Sequence, residues 1–82
     1  MPYIRQEHRE YLDGCLSFEL YDWSPGELNY AITKMLISYC EESSYARYNE
    51  ALGVLSAVTQ EFYRRAVAPY EDQKILENGD VF

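Results

Sequence analysis

Groups that hold metal ions are scarce in this 82-residue chain, which has two cysteines, Cys15 and Cys40, and a single histidine, His8. The cysteines are far apart and have no histidine cluster beside them, so four-ligand zinc chemistry is excluded and both read as reduced thiols. No apolar run is long enough to span a bilayer. The opening Met1-Pro2-Tyr3-Ile4-Arg5 lacks the apolar stretch of a signal peptide. The expectation is a cytoplasmic protein with no membrane partner and no cofactor. Basic residues are also few: seven Lys and Arg stand against fourteen Asp and Glu, for a net charge of -7. A polynucleotide binder needs a basic face to displace counterions, so a nucleic-acid polymer is a poor partner for this chain. A short chain buries a modest share of its surface and usually needs a staple. With disulfide and metal set aside, self-association is the staple left, and a homo-oligomer is expected.

Against these absences stand nine tyrosines and a few strong helix signals. Ser24-Pro25-Gly26-Glu27 combines a favoured N-cap, a proline suited to the first helical turn, and the glutamate of a capping box. Leu28, Ile32, Met35, Leu36, Tyr39 and Cys40 then recur at helical spacing, which predicts a helix over about 25–42. Glu41-Glu42-Ser43-Ser44 is a polar link with a second cap candidate. A longer helix is expected over about 45–67, with Tyr48, Ala51, Leu52, Leu55, Val58, Phe62 and Ala66 on its apolar side and Pro69 closing it. So short a link predicts antiparallel packing as a helical hairpin.

The flanks read as one short helix over Arg5–Leu12, ended by Asp13-Gly14, and a second over Tyr70–Glu77, ended by Asn78-Gly79. Cys15–Tyr21 alternates apolar and polar residues, as a short strand or an extended arm does. The whole is an all-α single domain over 1–82: an arm or short helix over 1–23, the hairpin over 24–68, and a short helix and tail over 69–82.

The candidate site centres on Glu61-Phe62-Tyr63-Arg64-Arg65 and Pro69-Tyr70-Glu71-Asp72. Guanidinium forks match phosphate or carboxylate oxygens, and tyrosine offers a flat stacking surface with a polar tip. Arg64 and Arg65 either hold an anionic ligand beside Tyr63 and Tyr70, or pair with the chain's own Glu61, Glu71 or Asp72. On the same helix Asn49, Gly53, Ser56, Gln60 and Tyr63 share an uncharged stripe. A mid-helix glycine costs about 1 kcal/mol relative to alanine, so Gly53 marks a ligand lying against the backbone or a crossing helix. Asn29 and Thr33 sit one turn apart on the first helix, and Tyr30 and Ile37 lie on another of its sides. Catalysis finds little support. Ser24, Ser43 and Ser44 read as caps, His8 has no triad around it, and the acid pairs are adjacent rather than a helical turn apart. The chain reads as non-enzymatic.

These residues carry a resemblance. Met1-Pro2-Tyr3-Ile4, Gly26-Glu27-Leu28-Asn29-Tyr30-Ala31-Ile32-Thr33, Asn49, Gly53-Val54-Leu55, Glu61-Phe62-Tyr63-Arg64-Arg65, Pro69-Tyr70-Glu71-Asp72, Lys74 and Glu77-Asn78-Gly79-Asp80-Val81 resemble a family of small proteins encoded by bacteriophages and prophages, a domain of unknown function. The likeness covers most of the chain from Pro25 onward and is weakest over Leu12–Ser24. It implies a phage-encoded protein in the host bacterial cytoplasm. In size, helical character and need for partners, the chain is similar to phage nucleotide sponges. These sequester cyclic oligonucleotide or cyclic ADP-ribose-type immune signals without cleaving them. On that analogy Arg64 and Arg65 hold phosphates, Tyr63 or Tyr70 stacks on a base, and Asn29, Thr33, Asn49, Gly53 and Gln60 complete pockets between subunits. Two other readings remain open. An acidic protein-binding module could block a basic groove on a host protein, and a structural homo-oligomer needs no ligand.

Overall fold

A computed structural model of the chain describes residues 3–16 and 19–82. Among these residues the chain is all helical, with helices α1 (Gln6–Cys15), α2 (Pro25–Tyr39), α3 (Tyr45–Phe62) and α4 (Ala68–Asn78), and a π-helical segment (Tyr63–Val67) joining the last two. The chain divides into two compact units, one ending at Ala51 and one running from Leu52 to Phe82. The boundary falls inside α3.

In the first unit, α1 runs through Asp13-Gly14 to Cys15, past the expected stop at Leu12. Gly14 cannot act as a left-handed cap here, because Gly79 alone among the described residues has a positive φ. The helix ends one residue later, where the Leu16 N–H donates to the Leu12 and Asp13 carbonyls. The proposed strand or arm Cys15–Tyr21 is not borne out at its described ends: Cys15 is the last residue of α1, and Tyr21 lies in a turn. Its residues 17 and 18 lie outside the described ones. The turn closes where the Trp23 N–H donates to the Leu20 carbonyl at 2.9 Å.

The capping box of α2 forms as the spacing predicts. The Ser24 N–H donates to Glu27 Oε1 at 2.8 Å, and the Glu27 N–H donates to Ser24 Oγ at 3.2 Å. The second cap candidate also holds, since the Arg47 N–H donates to Ser44 Oγ at 3.1 Å at the start of α3.

In the second unit, Pro69 does not close the helix. It falls in the first turn of α4, and the backbone stays helical through it. The chain meets the proline by widening: the Ala68 N–H reaches back five residues to the Tyr63 carbonyl, across the π segment. Proline lacks a donor and its ring crowds the carbonyl four residues back, and a π turn is one recognised way to absorb that conflict. Gly79 stops α4 as expected, with φ 87° and its N–H on the Ile75 carbonyl at 2.8 Å.

Burial departs most from expectation. Ala51, 6% exposed, is the one buried residue among those described. Its neighbours on the expected core face are open: Leu52 is 65% exposed and Phe62 64%, and Leu28, Ile32, Met35 and Tyr39 of α2 are exposed too. Among the described residues, the apolar faces that periodicity marks on α2 and α3 therefore stay largely exposed.

Candidate functional site

Wide and regular helical turns together build the arginine cluster. Glu61 lies in the last turn of α3, and Arg64 and Arg65 follow at the two spacings that share a helix face. Arg64 Nη2 lies 2.8 Å from Glu61 Oε2, and Arg65 Nη1 lies 3.6 Å from Glu61 Oε1. Both guanidiniums are well exposed, at 66% and 63%, while Glu61 is 18% exposed. Each such bridge is worth about 0.5 kcal/mol at most in water. Their main effect is to gather two positive heads around one carboxylate.

Tyr63 opens the π segment, and its hydroxyl donates to Glu71 Oε1 in the first turn of α4. Eight residues of α-helix would separate the two along the axis by about 12 Å, and the widened turn draws them nearer. The bond to the Glu71 carboxylate holds the Tyr63 hydroxyl above the ordinary tyrosine value, with the charges of Glu71 and Asp72 adding to it. Tyr70 directly precedes Glu71, with Lys74 Nζ 5.5 Å from its ring centroid, and Lys74 also bridges Glu77 at 3.1 Å.

A cavity of about 530 Å³ beside this cluster is lined by Tyr63, Glu71, Asp72, Lys74, Asp80 and the apolar tail residues Val81 and Phe82 among others. Its charged lining is three carboxylates and one ammonium, and Arg64 and Arg65 are not part of it. That hollow does not suit an anion, so a phosphate would have to be held on the open arginine face instead.

The remaining candidates are distributed over both units. Asn29 and Thr33 engage each other on α2: the Thr33 hydroxyl donates to the Asn29 carbonyl at 2.8 Å and lies 3.4 Å from its Oδ1. Asn49 is exposed on α3 in the same unit. Gly53 and Gln60 belong to the second unit with the arginines. Gln60 Nε2 donates to Ser56 Oγ at 3.2 Å, so the uncharged stripe is internally bonded over one turn. A Cβ added to Gly53 would meet nothing within 4 Å, so nothing in its own chain requires the missing side chain. His8 is exposed on α1. A second cavity, of about 790 Å³, is lined by Trp23, Ser24, Gly26, Glu27, Tyr30, Ala31 and Lys34 at the start of α2.

One cluster escaped the sequence reading. At the link between α2 and α3 the Arg47 guanidinium lies 3.7 Å from the Tyr39 ring centroid, and its Nε donates to the Tyr39 carbonyl at 2.9 Å. Glu50 Oε2 accepts from both Arg47 Nη1, at 3.2 Å, and the Tyr39 hydroxyl, at 3.0 Å. The hydrogen bond to Glu50 holds the Tyr39 hydroxyl above the ordinary value, against the opposing charge of Arg47. The helix-turn spacing of Arg47 and Glu50 was the available signal, and it went unused because Tyr39 reaches them across a link.

Among the described residues no group of three or more His, Cys, Asp or Glu is placed to hold a metal ion, and no helix is long and apolar enough to cross a membrane. The fold and the cluster together define a small all-helical chain with an arginine–tyrosine face on a π-helical turn. The chain belongs to the family described as a domain of unknown function, DUF6899, which matches residues 1–81. No match is found among curated proteins or solved structures.

Proposed function

We propose that this chain is a non-catalytic binding protein that works as a homo-oligomer. In this reading 25–42 and 45–67 close as an antiparallel hairpin, and its ligand is a nucleotide-derived anion held between subunits. One observation carries the oligomeric part: Leu52 and Phe62 on the apolar side of α3 are 65% and 64% exposed, and Met35 on that of α2 is 62% exposed, apolar surface of the kind that contacts between subunits cover.

The ligand part is supported by residue chemistry. Two exposed guanidiniums directly follow Tyr63 in the chain and precede Tyr70 by six and five residues. Arginine captures phosphate by forked hydrogen bonds, and tyrosine stacks on a base without reading it. The phage setting and the role of a sponge for a cyclic ADP-ribose-type or cyclic oligonucleotide signal belong to the same proposal, through the resemblance stated above. Native mass spectrometry of the protein purified from bacteria making such signals is the test. Retention of a discrete nucleotide mass, lost in the Arg64→Ala/Arg65→Ala double variant with the oligomer intact, supports the reading. An adduct-free oligomer that ignores a panel of cyclic nucleotides and ADP-ribose derivatives removes the ligand.

A second reading draws on specific contacts. Arg64 and Arg65 already bridge Glu61, and the neighbouring cavity is lined mainly by acids. That arrangement suits an acidic module docking on a basic protein surface, and salt-sensitive capture of one host protein would favour it.

A further inference from the structure

The cavity at the start of α2 has no part in the arginine cluster. It measures about 790 Å³, and every residue of its lining belongs to the unit that ends at Ala51. Small-molecule sites commonly run from about 300 to 1,000 Å³ and combine aromatic walls with a few polar groups. Here the aromatic lining is Trp23 and Tyr30, and Gly26 and Ala31 add almost no side-chain bulk to it. Tyr30 and Lys34 stand one helical turn apart and so share a face of α2. Trp23 ends the turn before the cap, where its N–H donates to the Leu20 carbonyl at 2.9 Å.

Two charged side chains line the cavity, and they differ in what they already hold. Glu27 is engaged: its Oε1 accepts from the Ser24 N–H at 2.8 Å, and it sits in the first turn of α2, where the helix dipole favours a negative charge. Lys34 is not engaged in this way. Its Nζ stands 6.0 Å from the Tyr30 ring centroid, at the outer limit of attraction between an ammonium and a ring. Among the described residues it makes no salt bridge, whereas Arg47, Arg64, Arg65 and Lys74 each do. In a chain with fourteen acids against seven bases, an ammonium without a carboxylate is available to a ligand. A planar ring stacked on Tyr30 lies about 3.5 Å above it, which brings an acidic substituent of that ring within reach of Lys34. We propose that this cavity is a second binding site, for a small molecule with a planar aromatic ring and an anionic group. The ring lies against Trp23 and Tyr30, and the anion rests on Lys34. The Glu27 N–H is already capped by Ser24 Oγ, so the anion is drawn by Lys34 rather than by the helix end. The site does not depend on the reading of Arg64 and Arg65 given above.

Trp23 is the single tryptophan of the chain, so its fluorescence reports on this cavity. The test titrates the full chain with AMP, which has both ring and anion, with adenosine, which lacks the phosphate, and with ribose phosphate, which lacks the ring. AMP should quench Trp23 saturably. Adenosine should bind about fivefold more weakly, the worth of one exposed ion pair, and ribose phosphate should leave the fluorescence unchanged. Lys34→Gln should bring AMP to the adenosine level without moving adenosine. Tyr30→Ala should weaken both by about tenfold through lost stacking. Tyr30 and Lys34 are exposed, so both variants should keep the helix content of wild type by circular dichroism. No saturable response to AMP up to about 10 mM, AMP and adenosine binding alike, or an AMP affinity unmoved in Lys34→Gln would each overturn the inference. The Arg64→Ala/Arg65→Ala variant should keep the Trp23 response. Its loss there would assign the nucleotide to the arginine face, overturning the second site while supporting the first.

Discussion

Replacing Gly53 with alanine separates two readings of the uncharged stripe on α3. The backbone at Gly53 is ordinary helix with negative φ, and an added Cβ meets nothing within 4 Å. Nothing local opposes the methyl group, so the change should return the helix-propensity cost of glycine, about 1 kcal/mol. Average unfolding entropies per residue give a chain of 82 residues an entropy of unfolding near 170 cal/mol/K, so that gain corresponds to a Tm about 6 °C higher. Thermal melts followed by circular dichroism, paired with sedimentation equilibrium, read both quantities. A higher Tm with unchanged association is the expected result. A lower Tm, or dissociation, would show that something outside the chain lies against the glycine, and would refute the reading that nothing requires its missing side chain.

Other consequences follow from the same contacts. Glu61→Gln should cost about 0.5 to 1 kcal/mol at low ionic strength, a difference that fades in about 0.5 M salt because the bridges to Arg64 and Arg65 are exposed. In an alkaline absorbance titration, Tyr39 and Tyr63 should ionise above the ordinary tyrosine value, because each donates to a carboxylate. A raised phenol contributes stability that is present below its ordinary value and lost as pH rises through the folded value. Glu71→Gln should therefore bring Tyr63 down and flatten that alkaline loss. Glu27 behaves in the opposite sense. Its carboxyl is held below 4.5 by the Ser24 backbone and side chain, so its contribution is present above that value and lost as pH falls through the lowered one. Glu27→Gln should accordingly weaken the acid limb of a Tm-versus-pH curve, and an unchanged limb would remove the capping box as its cause.

Local signals were the readable ones. Ser24, Pro25 and Glu27 define the start of α2 because a capping box involves only residues within one turn. Gly79 ends α4 for a similarly local reason. Pro69 misled, because the rule that proline ends helices holds for a regular backbone ladder, and here the ladder widens to five-residue bonds at Tyr63–Val67. Tyr63 and Glu71 stand eight residues apart, a separation that the one-turn spacing rule does not pair. Arg64 and Arg65 had two named outcomes, ligand or carboxylate, and their spacing from Glu61 made the bridge geometrically available. Periodicity marks an apolar side on α2 and α3, but it does not say whether that side is buried, and most of its residues are exposed. Leu52 and Phe62 stand open in the chain that the same pattern marks as core.

The account depends most on those faces being covered by another copy. Thermal unfolding measured over a hundredfold range of protein concentration tests this directly, since a folded state that exists only in association melts higher as concentration rises. The account predicts a steadily increasing Tm and a single transition in which helix and association are lost together. A Tm that does not move with concentration, for a chain that sediments at its 9.7 kDa monomer mass, would contradict it.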